Sequence, residues 1–236
     1  AYLNVPGLRV FVTGQRRADA QQTLGTTRAT NATGLRVVFA LLCKPEWLNA
    51  PYREINEAAG VALGAVGWVF NDLTARGLVI GDKRKGGRRF TDLKRLFTEW
   101  VTNYPLKLRP KLGPRRYHAT DPQRWQQADI EKYRAYWGGE AAADRLTRFL
   151  KPEHATIYTR ADPAELVVNF RLRPDPEGEI EILQAFWHPA LDAETAATVP
   201  PVLVYADLMA TLDPRNHDAA QMIYERYLAS IIDQTG

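Results

Sequence analysis

The sequence predicts an α+β protein, and three observations support this. Residues 34–92 hold apolar stripes at helical spacing, followed by a β-branched segment and a basic turn. Residues 117–236 alternate helical and strand-like segments between turns rich in Pro and Gly, which indicates a small sheet covered by helices. The charge is unevenly divided, since residues 76–116 hold 13 Lys and Arg against 3 Asp and Glu, whereas residues 117–236 carry a net charge of −8. A cationic middle favours contact with phosphates, and the acidic remainder does not.

Three helices are predicted in the first part of residues 34–92. The first helix buries one apolar face, which is formed by Leu35, Val38, Phe39 and Leu42. The second helix begins after Asn49, where Pro51 occupies a first-turn position. The third helix spans about 62–76 and ends at Gly77, because glycine tolerates the left-handed conformation of a helix end.

A basic hairpin is predicted after the third helix. Residues 78–80 predict one strand, and Gly86-Gly87 predicts a tight turn. Phe90 is predicted to open the return strand. The cations of the tip are Lys83, Arg84, Lys85, Arg88 and Arg89. Three helices and a basic hairpin in this order are typical of a winged helix-turn-helix, whose third helix fits a major groove. The alternative is a winged helix that docks a protein.

Double-stranded DNA is therefore the predicted partner of this region. Phosphate contacts from the five tip cations should dominate affinity, and neutralising four of them should lower the log–log salt slope by roughly 3 to 4 units. Gly64, Trp68 and Asn71 lie on the exposed face of the third helix, where Asn can bond adenine and small residues allow close approach. Thr27 and Arg28 could reach phosphates from the polar segment before the first helix.

Four segments organise the chain. Residues 1–33 form a strand-like start and a linker, and Pro6-Gly7 divides the start into a hairpin-like pair. Because the first residue is Ala, we interpret this start as the end of an upstream domain. The remaining segments are the winged unit at 34–92, a connecting helix with a basic extended segment at 93–116, and the acidic unit at 117–236.

Elements of the later segments follow from periodicity. The predicted extended segment is 106–112, the predicted helices are 122–137, 140–150 and the last helix after Asp213-Pro214 to about 232, and the predicted strands are 156–159, 165–172, 179–186 and 202–205.

Several classes of site are excluded by composition. Ser230 is the single serine, so a serine hydrolase is excluded. The four histidines are far apart, the lone Cys43 indicates a buried thiol, and no Gly-rich phosphate loop of the Walker or GxGxxG type occurs. No catalytic residue, metal or cofactor is predicted. Neither a signal peptide nor an apolar run of membrane-spanning length is visible, so the predicted location is the cytoplasm.

The sequence resembles the AbiEi-type antitoxins of type IV toxin–antitoxin (abortive infection) systems. The resemblance covers most of the chain, and it lies in the winged unit and in strings at residues 99–111, 137–142, 151–158, 204–208 and 213–215. It implies a transcriptional repressor of its own operon that binds inverted repeats in its own promoter. It also implies a C-terminal antitoxin domain related in fold to nucleotidyltransferases, and a nucleotidyltransferase-like toxin as the functional partner, with or without direct contact. A candidate antitoxin or partner surface comprises Lys107, Arg109, Lys111, Gly138, Gly139 and Glu140.

An active nucleotidyltransferase is one alternative, because Gly138-Gly139 at a helix start could hold a triphosphate through backbone N–H groups. That chemistry needs clustered carboxylates, but the predicted strand at 155–159 has none and its predicted neighbour offers Asn169. Loose candidates without D-x-D spacing are Asp162, Glu179, Glu181 and Asp207. We therefore predict a nucleotidyltransferase-like scaffold that is not an enzyme. A stand-alone regulator with a ligand-sensing C-terminal domain is the other alternative.

Overall fold

A computed structural model describes residues 28–82, 86–121, 125, 128–193 and 197–233, together with the backbone of 2–5 and 8–11. Strands β1 (Tyr2–Val5) and β2 (Leu8–Phe11) pair antiparallel, which confirms the predicted hairpin at the start of the chain. The described part of the protein mixes helices with three antiparallel or mixed sheets, so the α+β class is confirmed.

Three helices and a hairpin occupy the region predicted as the winged unit, residues 34–92. The elements are α1 (Ala32–Cys43), α2 (Tyr52–Ala59), α3 (Leu63–Ala75), β3 (Val79–Asp82) and β4 (Gly87–Phe90). The Asn31 side chain caps α1 by accepting a 2.8 Å hydrogen bond from Gly34 N. The predicted helices are confirmed. The prediction that Phe90 opens the return strand is wrong, because Gly87 already pairs with Asp82 and Phe90 ends the strand opposite Val79.

Helix α4 (Leu93–Asn103) continues as a π-helical turn (Tyr104–Leu108) and a 3-10 turn (Arg109–Leu112). The prediction of an extended segment at 106–112 is therefore wrong. Leu108 and Leu112 are both buried, at helical spacing, whereas Leu106 is 71% exposed. The alternation of apolar and basic residues imitates a strand, but burial selects a helical register.

A five-stranded sheet forms the centre of the C-terminal part. Its strands lie in the order β6-β7-β9-β5-β8, with β7 and β9 parallel and the other described pairs antiparallel. The strands are β5 (Arg115–Ala119), β6 (Ala135–Gly138), β7 (Ala155–Thr159), β8 (Leu172–Pro174) and β9 (Ile180–Gln184). The helices are α5 (Gly139–Thr147), α6 (Ala164–Asn169), α7 (Pro201–Met209), α8 (Pro214–Ile223) and α9 (Ala229–Ile232), with a π-helical turn at Tyr224–Leu228.

Three predicted elements of this part are corrected. The predicted strand at 202–205 lies within α7, whose Val202, Leu203 and Val204 are all at most 2% exposed; a helix buried on all sides shows no periodicity that separates it from a strand. The predicted strand at 165–172 is mostly α6. The predicted helix at 122–137 is wrong where described, because its last residues belong to β6, the edge strand that pairs antiparallel with β7.

Helix α1 lies at the centre of one continuous core. The Phe39 ring is within 5.3 Å of the Trp100 ring of α4 and within 4.9 and 6.1 Å of the rings of Phe186 and Trp187. Burial of α1 on both sides joins the helical unit to the sheet.

No single helix among the described residues is long and apolar enough to cross a bilayer. In this part of the chain, α2 and α3 taken together would reach the required length and hydropathy, but they meet at a bend of 104°.

Candidate functional site

The outer face of α3 carries three of the residues predicted to contact DNA. Gly64, Trp68 and Asn71 are all exposed on it, and a Cβ placed on Gly64 would meet nothing within 4 Å. Trp68 is 57% exposed, and the Arg28 guanidinium lies 4.6 Å from its ring centroid. We call these four residues the α3 surface. Thr27 lies outside the described residues.

Arg28 is held beside α3 by an acidic residue of that helix. Asp72 accepts a 3.0 Å hydrogen bond from the backbone N–H of Ala29, which follows Arg28. Arg76 pairs with the same carboxylate at 3.6 Å and also with Glu99 of α4. The short turn that carries Arg28 is therefore fixed relative to the α3 surface.

Two of the predicted hairpin cations are described, and they differ in environment. Arg89 is exposed. Arg88 is half-buried, with its guanidinium 4.6 Å from the Phe70 ring centroid and donating a 2.8 Å hydrogen bond to the Tyr52 hydroxyl. Arg88 thus packs the hairpin onto α2 and α3. Lys83, Arg84 and Lys85 lie outside the described residues.

Asn49 holds the hairpin from the other side, and sequence analysis assigns it only to a helix start. Its Oδ1 accepts a 2.7 Å hydrogen bond from Arg88 N, and its Nδ2 donates a 2.8 Å hydrogen bond to Arg88 O. One amide side chain therefore satisfies both backbone groups of a residue 39 positions away in the chain. No local pattern could have identified this pairing, because it depends on the tertiary fold.

A second cluster of polar side chains is buried between α4 and the sheet. The Tyr104 and Tyr158 hydroxyls lie 2.5 Å apart, and both donate to Asp207, Tyr158 at 2.9 Å and Tyr104 at 3.2 Å. Arg109 lies 3.5 Å from Asp207 and also pairs with Glu181 through its guanidinium. We call these five residues the Asp207 cluster.

Burial dominates the electrostatics of the Asp207 cluster. It raises the pKa of both tyrosine hydroxyls well above the ordinary value, and the charge of Asp207 raises them further. Burial also raises the pKa of the Asp207 carboxyl, against the opposing effects of Arg109 and the two tyrosine donors. These tyrosines therefore remain neutral donors, and every polar group of the cluster is paired.

A cleft of about 350 Å³ opens beside the Asp207 cluster and brings together three residues of the predicted partner surface. Arg109, Gly139 and Glu140 line it. Gly138 packs behind it, since a Cβ there would lie 2.7 Å from Tyr158 Cε2. Lys107 is half-buried and Lys111 is exposed, and neither lines the cleft.

Glu140 has a structural role at this cleft. Its Oε2 accepts hydrogen bonds from Glu153 N at 2.7 Å and His154 N at 3.1 Å, and its Oε1 accepts a 3.0 Å bond from Asn216. The carboxylate thus ties α5 to the loop before β7 and to α8. Across the residues that the structure describes, no three His, Cys, Asp or Glu side chains converge in a way that could hold a metal ion.

Comparison with known proteins identifies one family. Residues 89–229, more than half of the chain, match the family model described as "Transcriptional regulator, AbiEi antitoxin, Type IV TA system". This match covers the end of β4, all of α4 and the C-terminal sheet with its helices through α8. Neither the search of curated proteins nor the search of solved structures returned a match. The chain therefore belongs to the AbiEi antitoxin family of transcriptional regulators of type IV toxin–antitoxin systems.

Proposed function

We propose that residues 28–92 are a winged helix-turn-helix that binds double-stranded DNA at inverted repeats in its own promoter, so that the antitoxin represses its own operon. The observation that carries this proposal is the α3 surface, where Arg28, Gly64, Trp68 and Asn71 are exposed together. A helix in the major groove reads bases through such a face.

The residues have distinct roles in this proposal. Asn71 reads a base edge, while Gly64 lets the helix approach the groove closely. Trp68 orients the Arg28 guanidinium, which contacts a phosphate. Arg89 and the tip residues Lys83, Arg84 and Lys85 contact phosphates across the neighbouring groove. Arg88 and Asn49 fix the hairpin against the helices, so that its tip is held in place for these contacts.

A salt-series gel shift with the DNA upstream of the gene tests this proposal. The variant carries alanine at Lys83, Arg84, Lys85 and Arg89, and the matched control carries alanine at four exposed cations of the C-terminal part, Lys132, Arg134, Arg171 and Arg173. Wild type and control should prefer the upstream DNA over a scrambled duplex. The hairpin variant should lose affinity, with a log–log salt slope lower by roughly 3 to 4 units.

Equal binding of the hairpin variant and the wild type would contradict the phosphate contacts. If wild type binds neither duplex at low salt, the helical unit is a protein-docking module, which is the remaining use of a winged helix.

For the C-terminal part we propose a nucleotidyltransferase-like scaffold that does not catalyse nucleotidyl transfer and that serves antitoxicity. The support comes from the carboxylates: Arg109 neutralises both Glu181 and Asp207, and β7 contributes no acidic side chain. The predicted neighbour Asn169 belongs to α6, so it cannot act from a strand. Incorporation of labelled nucleoside triphosphate with magnesium, abolished by Asp162→Ala or Glu181→Ala, would overturn this proposal.

One observation favours a second function, a stand-alone regulator that senses a ligand. The cleft of about 350 Å³ borders the Asp207 cluster, whose Tyr104 stacks on Trp100 at 5.0 Å. A toxin gene next to this gene would favour the antitoxin, and loss of growth arrest on co-expression of the two genes would establish it.

A further inference from the structure

A basic surface lies on the C-terminal part, far in sequence from the hairpin. Four cations line two open clefts there: Arg145, Arg148, Lys151 and Arg226. The first cleft holds about 480 Å³ and the second about 300 Å³. Their concentration is unexpected, because residues 117–236 carry a net charge of −8.

Arg145 and Arg148 line both clefts and so form a ridge between them. We call this pair the arginine ridge. Trp137, Arg226 and Tyr227 contribute to the wall of the larger cleft, and Lys151 and the 50% exposed Phe149 contribute to the smaller one. The order across the surface is therefore an aromatic-lined cleft, a cationic ridge and a second aromatic-lined cleft.

Two of the arginines are held in position by the fold. The Arg145 guanidinium lies 4.3 Å from the Trp137 ring centroid and donates to Ala141 O at 2.9 Å. Arg226 donates to Leu146 O at 3.0 Å and lies 5.5 Å from the Tyr227 ring centroid. Guanidinium groups fixed in this way lose less conformational entropy when they bind a phosphate.

Three of the four cations of this surface form no salt bridge within the described residues. These are Arg148, Lys151 and Arg226. Three carboxylates also line the clefts, Asp144 in the smaller one and Asp129 and Glu131 in the larger one. Cations at the end of a helix also compensate its dipole, but that role needs neither the exposed Phe149 nor two clefts.

From this geometry we propose that the arginine ridge and its two clefts bind single-stranded RNA. Phosphates would contact the ridge, and unpaired bases would enter the clefts on either side and stack on Phe149 and on the Arg145 guanidinium, which covers the buried Trp137 ring. An acidic polypeptide would satisfy the cations but has no planar groups for the clefts. Duplex DNA cannot insert its paired bases into them. RNA is the polymer whose unpaired bases are ordinarily available in this form.

The test measures binding of a fluorescent oligouridylate of about 15 nucleotides to the full chain across a salt series. The double variant Arg148→Ala/Lys151→Ala should lower affinity, with a log–log salt slope lower by about 1.4 units. Phe149→Ala should weaken binding by about tenfold at constant slope. The matched control, Arg171→Ala/Arg173→Ala, removes two exposed cations at β8, the opposite edge of the sheet from β6, and should bind like wild type.

The measurement separates this proposal from the proposed DNA binding. The double variant should keep its affinity for the upstream duplex, and the hairpin variant should keep its affinity for RNA. The proposal is overturned if the double variant binds RNA like wild type, or if the hairpin variant alone loses it. If oligoglutamate competes as strongly as unlabelled RNA, the surface belongs to an acidic polypeptide and the proposal fails. If oligothymidylate binds as tightly as oligouridylate, the surface does not select RNA over single-stranded DNA.

Discussion

The indole Nε1 of Trp100 donates a 2.8 Å hydrogen bond to the carbonyl oxygen of Leu35, and both residues are at most 1% exposed. Trp100 belongs to α4 and Leu35 to α1, so this bond crosses the centre of the core. The Trp100 ring also stacks on Phe39 at 5.3 Å and on Tyr104 at 5.0 Å. One side chain thus connects the central helix of the helical unit to the Asp207 cluster.

Trp100→Phe should therefore lower the free energy of unfolding by about 2 kcal/mol, because it removes a buried hydrogen bond and leaves a gap beside Phe39. Urea unfolding followed by circular dichroism measures the change. The matched control is Trp68→Phe, whose side chain is 57% exposed, and it should change stability by less than about 0.5 kcal/mol. Equal losses for the two variants would contradict the central position of Trp100.

The two described hairpin arginines should separate stability from DNA binding. Arg88→Ala should lower the free energy of unfolding by about 1 to 2 kcal/mol, because it removes contacts with Phe70 and Tyr52 and the bond to the Tyr52 hydroxyl. Arg89→Ala should leave stability unchanged and weaken duplex binding, with a salt slope lower by about 1 unit. Thermal unfolding and gel shifts on both variants check this, and a reversed pattern would exchange the assigned roles.

Two glycines in the helical unit should respond oppositely to alanine. A Cβ on Gly34 would overlap the carbonyl oxygen of Arg28, so Gly34→Ala should displace the turn that carries Arg28 and destabilise the fold. A Cβ on Gly64 meets nothing, so Gly64→Ala should stabilise α3 by about 0.5 to 1 kcal/mol. If α3 enters the groove, Gly64→Ala should nevertheless weaken DNA binding. Unfolding midpoints together with gel shifts distinguish these effects.

Glu179 should contribute to acid sensitivity. Partial burial raises its pKa, but hydrogen bonds from the backbone of Ala119 and from His118 outweigh this, and the pKa lies below the ordinary value of 4.5. A depressed pKa in the folded state means that the stabilisation is present above about pH 4.5 and is lost as the pH falls through the folded-state pKa.

Glu179→Gln should therefore be less stable than wild type near neutral pH by about 1 kcal/mol, and the difference should shrink as the pH falls below about 4.5. Urea unfolding between about pH 3 and 7 measures this. The exposed Glu177→Gln is the control. A constant difference across the range would mean that the carboxylate charge is not involved.

Local patterns were sufficient for the elements whose two faces differ. The stripes of α2 and α3 each present one buried and one exposed side, so periodicity identified these helices. The stripe of α1 was identified too, although the structure buries that helix on both sides. Periodicity was insufficient for α7, which is buried all round, and for residues 106–112, where an exposed Leu106 completed a false alternation.

The candidate sites show the same limit. Charge and spacing identified the hairpin cations and the exposed face of α3, because these depend on neighbouring residues. They could not separate Arg88 from Arg89, nor identify Asn49, because those roles arise from contacts with residues 18 to 39 positions away. The basic surface of the C-terminal part was equally hidden, since Arg226 reaches the cleft beside the arginine ridge only through the packing of the last helices on α5.

The central position of α1 has an evolutionary consequence. Because Phe39 packs on Phe186 and Trp187 as well as on Trp100, the helical unit cannot be replaced independently of the rest of the fold. Recombination that replaced this unit with one from a distant relative would bring a foreign surface against the sheet and leave its aromatic residues uncovered. Under the proposed DNA binding, a change of operator is therefore expected to arise through substitutions on the outer face of α3 and in the hairpin, while the inner faces of α1 and the sheet change together.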